Sequence, residues 1–167
     1  RHASNEVLDG VTVKRGWSTD FGRRRLVLRA VDYLTFYIFA FFSLLATARR
    51  GDVILAKTDP PMISVAAMVA ARFKGARLVN WCQDLFPETA EALGLKWAGG
   101  FFGRQLRKIR NASLAPADRN VVLHATMQEH LVADGIDPST IEIIPNWPDR
   151  GLIPIPYARI GGSRMKP

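Results

Sequence analysis

The chain has 167 residues, 48% of them hydrophobic and 23% charged, which suffices for one domain with a real core and excludes a largely disordered protein. Lys and Arg number 23 against 15 Asp and Glu, a net charge of +8 with a sequence pI near 10.2. That balance suits anionic partners (nucleic acid, phosphorylated metabolites, an acidic membrane surface) or serves solubility alone. Cys82 is the single cysteine, so an internal disulfide is excluded and a reducing, cytoplasmic compartment is expected.

The first ten residues read as a loop, and Val11–Arg15 alternates apolar and polar side chains as a half-buried strand should. The basic cluster Arg23-Arg24-Arg25 leads into an apolar segment with 16 uncharged residues between Asp32 and Arg49. This is shorter than the roughly 20 apolar residues of a bilayer-spanning helix. On a helical wheel Arg25, Arg29, Asp32, Thr35, Ser43, Thr47 and Arg50 fall within one third of the circumference, and the rest is apolar. Such a helix requires burial on most sides, either in the core or at a membrane interface.

Gly51 ends that helix, and Asp52–Lys57 reads as a fully buried strand. Thr58-Asp59-Pro60-Pro61 supplies a turn, a candidate N-cap at Asp59 and prolines suited to a first helical turn. Met62–Phe73 is apolar nearly all round and predicts a buried crossover helix; Ala76–Cys82 predicts the next strand, which completes a βαβ unit with parallel strands. That strand stops at Gln83-Asp84, and Leu85-Phe86-Pro87-Glu88 opens a helix. Phe101–Ala115 predicts an amphipathic helix with Phe101, Phe102, Leu106 and Ile109 on its apolar face and Arg104, Arg107, Lys108 and Arg110 on the other. Asn120–Leu123 predicts a strand, Thr126–Asp134 a helix stopped by Gly135, and Ile141–Ile144 the last strand. The alternation predicts an α/β fold: a Rossmann-like parallel sheet with helices on both faces. This domain occupies residues 1–149, and 150–167 form a linker or irregular tail. The chain starts at Arg1 without a signal-peptide pattern, and both ends read as cut, so a fragment is expected.

Three segments in order, GDVILAKTDPP (51–61), AARFKGARLVNWCQDLFPETAEALG (70–94) and ADRNVVLHATMQEHLVADGIDPSTIEIIPNWPD (117–149), resemble the N-terminal half of glycosyltransferase family 4. The similarity is to members that build exopolysaccharide, capsule and colanic-acid type chains. The resemblance implies half of a GT-B fold. It also implies a retaining, hexosyl-type transferase that moves a sugar from a nucleotide-sugar donor to a lipid-linked sugar or polysaccharide acceptor. Its first domain shapes the acceptor side, while a second holds the donor through basic residues and a pair of glutamates seven residues apart. IIPNW (143–147) resembles the start of the interdomain linker, so the donor half is expected to be absent here. The family's opening strand and glycine-rich loop are also expected to be missing, and the chain to be inactive alone.

Asp84 ends its strand where ligands bind in open α/β sheets. Its carboxylate either orients an acceptor hydroxyl or caps the helix that follows. Glu88, in the first turn of that helix, complements the helix dipole or binds acceptor. Thr58, Asp59 and Gln83 line the same sheet edge and complete the candidate acceptor-binding set with Asp84 and Glu88. Arg23, Arg24, Arg25, Arg104, Arg107 and Lys108 are candidate contacts to an anionic membrane surface or carrier, placing the protein at the inner face of the cell membrane. His124, Asn146 and Trp81 read as structural, and Cys82 carries no assigned chemistry. His2, His124 and His130 lack metal-ligand spacing, and no phosphate-loop or dinucleotide fingerprint occurs, so no metal and no cofactor is expected. Two other readings remain. One is a non-enzymatic basic module for nucleic acid or membrane, although nucleic-acid motifs are lacking; the other is a non-functional remnant.

Overall fold

The computed structural model describes residues 5–19, 21 and 26–147. Arg23, Arg24, Arg25 and the 150–167 tail therefore lie outside the described residues. The chain opens with an antiparallel hairpin of β1 (Asn5–Leu8) and β2 (Val11–Lys14), turned at Asp9-Gly10 with φ of 49° and 82°. Positive φ at both central residues is the geometry that an Asp-Gly pair favours in two-residue hairpins. β1 falls where a loop was expected.

Helix α1 (Leu26–Thr47) precedes β3 (Val53–Lys57), helix α2 (Ile63–Lys74) and β4 (Arg77–Trp81). Short helices α3 (Glu88–Ala92) and α4 (Lys96–Gly99) lead into α5 (Phe101–Leu114) and β5 (Arg119–Val122). Helix α6 (Ala125–Ala133) and a single turn at Pro138–Thr140 precede β6 (Ile141–Ile143). Strands β3 to β6 form a parallel sheet in the order β3-β4-β5-β6, each joined to the next through helix. This is the Rossmann-like α/β architecture that the alternation of elements predicts.

Register places Ile54 beside Leu78, Ala56 beside Asn80, and Asn80 beside Asn120, so these side chains share one face of the sheet. All are buried there with Val122 and Ile141. Helix α2 packs on β3 and β4 through Ala67, Ala70 and Ala71, whose small side chains permit close approach. Gly75, at φ 62°, ends α2 and donates its N–H to the Ala71 carbonyl. A second apolar cluster joins Cys82, Leu114, Val122, Met127, Leu131 and Ile141 beneath α6. Within this core, Asn80 donates to Asn120 Oδ1 at 3.0 Å, and Asn120 donates to the Leu114 carbonyl at 3.1 Å. The pair ties adjacent strands at positions where an unpaired amide would cost about 1–3 kcal/mol.

Three expectations change. The strand at 53–57 is not fully buried: it alternates, with Val53 and Leu55 exposed on the face opposite Ile54 and Ala56. Helix α1 is not enclosed on most sides. Phe41, Leu44 and Leu45 pack toward α2 and the core, but Val27, Leu34, Ile38 and Phe42 are exposed along its length. Helix α5 does not bury the apolar face that periodicity suggests, although Arg104 and Lys108 are exposed as expected. Arg110 is buried at 5% exposure, whereas Phe101, Phe102 and Ile109 are exposed. The cause lies in its neighbours: the inward side of α5 meets the carboxylates of Glu88 and Asp134 and the hydroxyl of Ser64, which bonds Ser113 at 2.8 Å. A guanidinium satisfies that polar environment and a phenyl ring cannot.

Candidate functional site

The loops leaving β3 and β4 lie side by side because the two strands are parallel neighbours. Thr58 joins them. Its N–H donates to the Trp81 carbonyl at 3.0 Å, and its Oγ1 accepts the Gln83 N–H at 3.1 Å. Both loops carry a cis X-Pro bond, Asp59–Pro60 and Phe86–Pro87. Between them opens a cavity of about 330 Å³, walled by Thr58, Asp59, Gln83 and Asp84 with Lys57, Pro61 and, from α1, Arg29 and Tyr33. Four of the five acceptor-binding candidates thus meet in one polar pocket at the carboxyl ends of parallel strands.

Asp84 is half-buried, and its carboxyl is held above the ordinary value of 3.8. Desolvation is the main cause and the charge of Asp59 the second, opposed by a bond from its own backbone N–H. A carboxyl raised in this way is a better proton acceptor than a free surface aspartate. Neither aspartate caps a helix. Helix α2 starts after Met62, at φ 68°, and α3 starts after Pro87; neither N-cap residue makes a side-chain cap bond. Asp59 and Asp84 each precede the first helical residue by four positions, too early for the cap role.

Glu88 stands apart from the other candidates. Its Oε1 accepts from Arg107 Nε at 2.8 Å and its Oε2 from Arg110 Nη1 at 2.7 Å. Arg110 also donates to Asp134 and, through Nε, to Asn111 at 2.9 Å. Both carboxylate oxygens of Glu88 are engaged by arginines, so the residue braces the loop rather than facing the cavity. Arg107 further reaches Glu91 at 3.5 Å, which leaves Arg104 and Lys108 as the exposed cations of the proposed anion-contact set on α5.

Sequence reading missed Arg29, Tyr33 and Lys57 as pocket residues and Arg110 as the brace. Arg29 donates to the Tyr33 hydroxyl at 2.8 Å with its guanidinium over that ring, an i, i+4 spacing visible in the sequence. Nothing in the chain signals that this turn of α1 meets the β3 and β4 loops. Asn146 donates to Gln83 Oε1 at 3.4 Å, so the segment after β6 touches the pocket wall. His124 caps α6, its Nδ1 accepting from the Met127 N–H at 3.3 Å. Trp81 is half-buried, and its indole N–H is enclosed without a partner among the described residues. Burial pushes the Cys82 thiol up to about 12, which leaves it unreactive. Among the described residues, no group of three or more His, Cys, Asp or Glu side chains is placed to hold a metal.

Comparison with known proteins identifies the family of this domain. The profile of the Glycosyl transferase 4-like domain matches residues 3–147. A probable glycosyltransferase, WbjE, from Pseudomonas aeruginosa is 29% identical over 136 residues, covering 80% of this chain and 34% of the relative. The chain thus spans about a third of the length of that relative. With the profile covering the whole parallel sheet and its pocket, the chain belongs to the Glycosyl transferase 4-like domain family.

Proposed function

We propose that this domain forms the acceptor side of a retaining glycosyltransferase, which transfers a hexosyl group from a nucleotide-sugar to a hydroxyl of a lipid-linked sugar or polysaccharide, as in exopolysaccharide assembly. A bond forms between the acceptor oxygen and the anomeric carbon, the anomeric bond to the nucleotide diphosphate breaks, and the hydroxyl proton passes to the departing diphosphate. Asp84 accepts a hydrogen bond from the attacking hydroxyl and orients it, while Thr58, Asp59 and Gln83 hold neighbouring hydroxyls of the sugar. The carrying observation is the pocket between the β3 and β4 loops, where Asp84 is half-buried and held above the ordinary carboxylate range. The positive side chains of Arg29 and Lys57 at the same pocket suit an acceptor linked through phosphate. We assign the donor to a second domain of the whole enzyme. We place the enzyme at the cytoplasmic face of the membrane, where Arg104 and Lys108 add attraction to anionic lipid.

The test is a transfer assay on the whole enzyme containing this domain, with a panel of radiolabelled nucleotide-sugars and a membrane lipid extract. Label is expected to enter the lipid or polysaccharide fraction with one donor class. Folded enzyme that transfers label from none of the donors would contradict the proposal.

A further inference from the structure

We propose that the outer face of α1 is a membrane-docking surface, which lies in the plane of one leaflet with its apolar stripe among the acyl chains. The stripe consists of Val27, Leu34, Ile38 and Phe42, at 74%, 57%, 51% and 63% exposure, in a helix of 22 residues. At 1.5 Å rise per residue these four positions extend over about 22 Å. A trough borders each side of the stripe, one apolar and the other mixed in character. One, of about 420 Å³, lies between Tyr37, Phe41, Met62 and the α2 residues Val65 and Val69. The other, of about 590 Å³, is bounded by Trp17, Phe39 and Lys14. Trp17 and Phe21 are exposed nearby, at 65% and 57%. An exposed apolar area on this scale marks an interaction site.

Charge selects the occupant. Exposed Arg49 and Arg50 lie just beyond the C-terminal end of the stripe, where Lys14 reaches Thr47 at 3.1 Å. The one acidic residue of α1 is turned away: Asp32 accepts from Thr19 Oγ1 at 2.9 Å and from the Phe21 N–H at 3.2 Å. An apolar stripe with aromatic flanks and a cluster of cations at its C-terminal end matches a helix lying at an anionic bilayer interface. A second copy fits less well, because two chains of charge +8 repel each other whereas an anionic surface attracts them. Arg29 and Tyr33 belong both to this helix and to the Asp84 pocket, so docking sets the pocket beside the lipid headgroups. Docking is read without turnover and stands separately from the transfer reaction.

The experiment uses the chain itself with sucrose-loaded phosphatidylcholine vesicles, with and without phosphatidylglycerol. Wild type is expected to co-sediment with both, more strongly with the anionic lipid. Leu34→Ser/Ile38→Ser/Phe42→Ser is expected to bind about 100-fold more weakly, from the apolar area withdrawn from lipid, with an unchanged thermal melt. Phe101→Ser/Phe102→Ser, on the exposed face of α5, is expected to bind as wild type. A polarity-sensitive dye attached at Ile38→Cys is expected to shift to the blue on vesicle addition; Cys82, 1% exposed, stays unlabelled. Four results would each overturn docking through α1: wild type that does not sediment, a triple variant that binds normally, loss of binding only in the α5 variant, or no dye shift. A wild-type dimer that the triple variant converts to monomer, without vesicle binding by either, would assign the face to a second copy instead.

Discussion

The guanidinium of Arg110 donates to Glu88 Oε2 at 2.7 Å, and this bond fastens the far end of the loop carrying Asp84 to the buried side of α5. The same side chain holds Asp134 at the end of α6, so one cation links three helices around the second apolar cluster.

Removing that cation leaves the partly buried Asp134 without its arginine and Glu88 with Arg107 alone. Arg110→Ala is therefore expected to lower unfolding stability by about 3 kcal/mol, measured by urea denaturation. Arg110→Lys is expected to recover little, because a point charge cannot reproduce the fork that reaches Glu88 and Asp134 together. Arg107→Ala, at a side chain 32% exposed, is expected to cost less than about 1 kcal/mol. Equal losses for the two arginines would show that the buried network is not the source.

Gly103 lets α5 pass close against the backbone of α4. A Cβ built there would stand 1.6 Å from the Ala98 carbonyl oxygen. Gly103→Ala is expected to force the two helices apart and lower stability by about 1–3 kcal/mol, despite the better helix propensity of alanine. A thermal melt at or above the wild-type midpoint would contradict the packing described.

Burial, with Asp59 adding repulsion, holds the Asp84 carboxyl above 3.8 in the folded state. The folded chain thus binds this proton more tightly than the unfolded chain, and stability falls as pH rises from the unfolded value through the folded one. Asp84→Asn removes the charge that causes the loss. The variant is expected to melt above wild type at neutral pH, with the difference vanishing below about pH 3.8. A variant that melts lower at neutral pH would mean that the ionised carboxylate is stabilising.

Much of this arrangement is legible in the chain. Val53–Lys57, Arg77–Trp81 and Arg119–Val122 are short apolar runs cut off by polar residues, and the alanine-rich crossover between the first two fixes their parallel pairing. The rims of adjacent parallel strands must meet, which is why Thr58, Asp59, Gln83 and Asp84 are readable as one pocket. Helix α5 was misread because periodicity reports which residues share a face, not what the face meets; Glu88 and Asp134 come from distant elements. The outward stripe of α1 was hidden for a related reason, since composition shows that the helix is apolar without showing what packs on it. The strand at Asn5–Leu8 was missed although the Asp-Gly turn beside it carries a hairpin signal.

The proposed role of Asp84 is to accept a hydrogen bond from the acceptor hydroxyl and orient it, and steady-state kinetics of Asp84→Asn in the whole enzyme address that role. With folding retained, kcat/KM for the acceptor is expected to fall about 100-fold or more, with the donor KM unchanged. Unaltered turnover together with an unaltered acceptor KM would remove Asp84 from the acceptor site and leave the pocket without its central role.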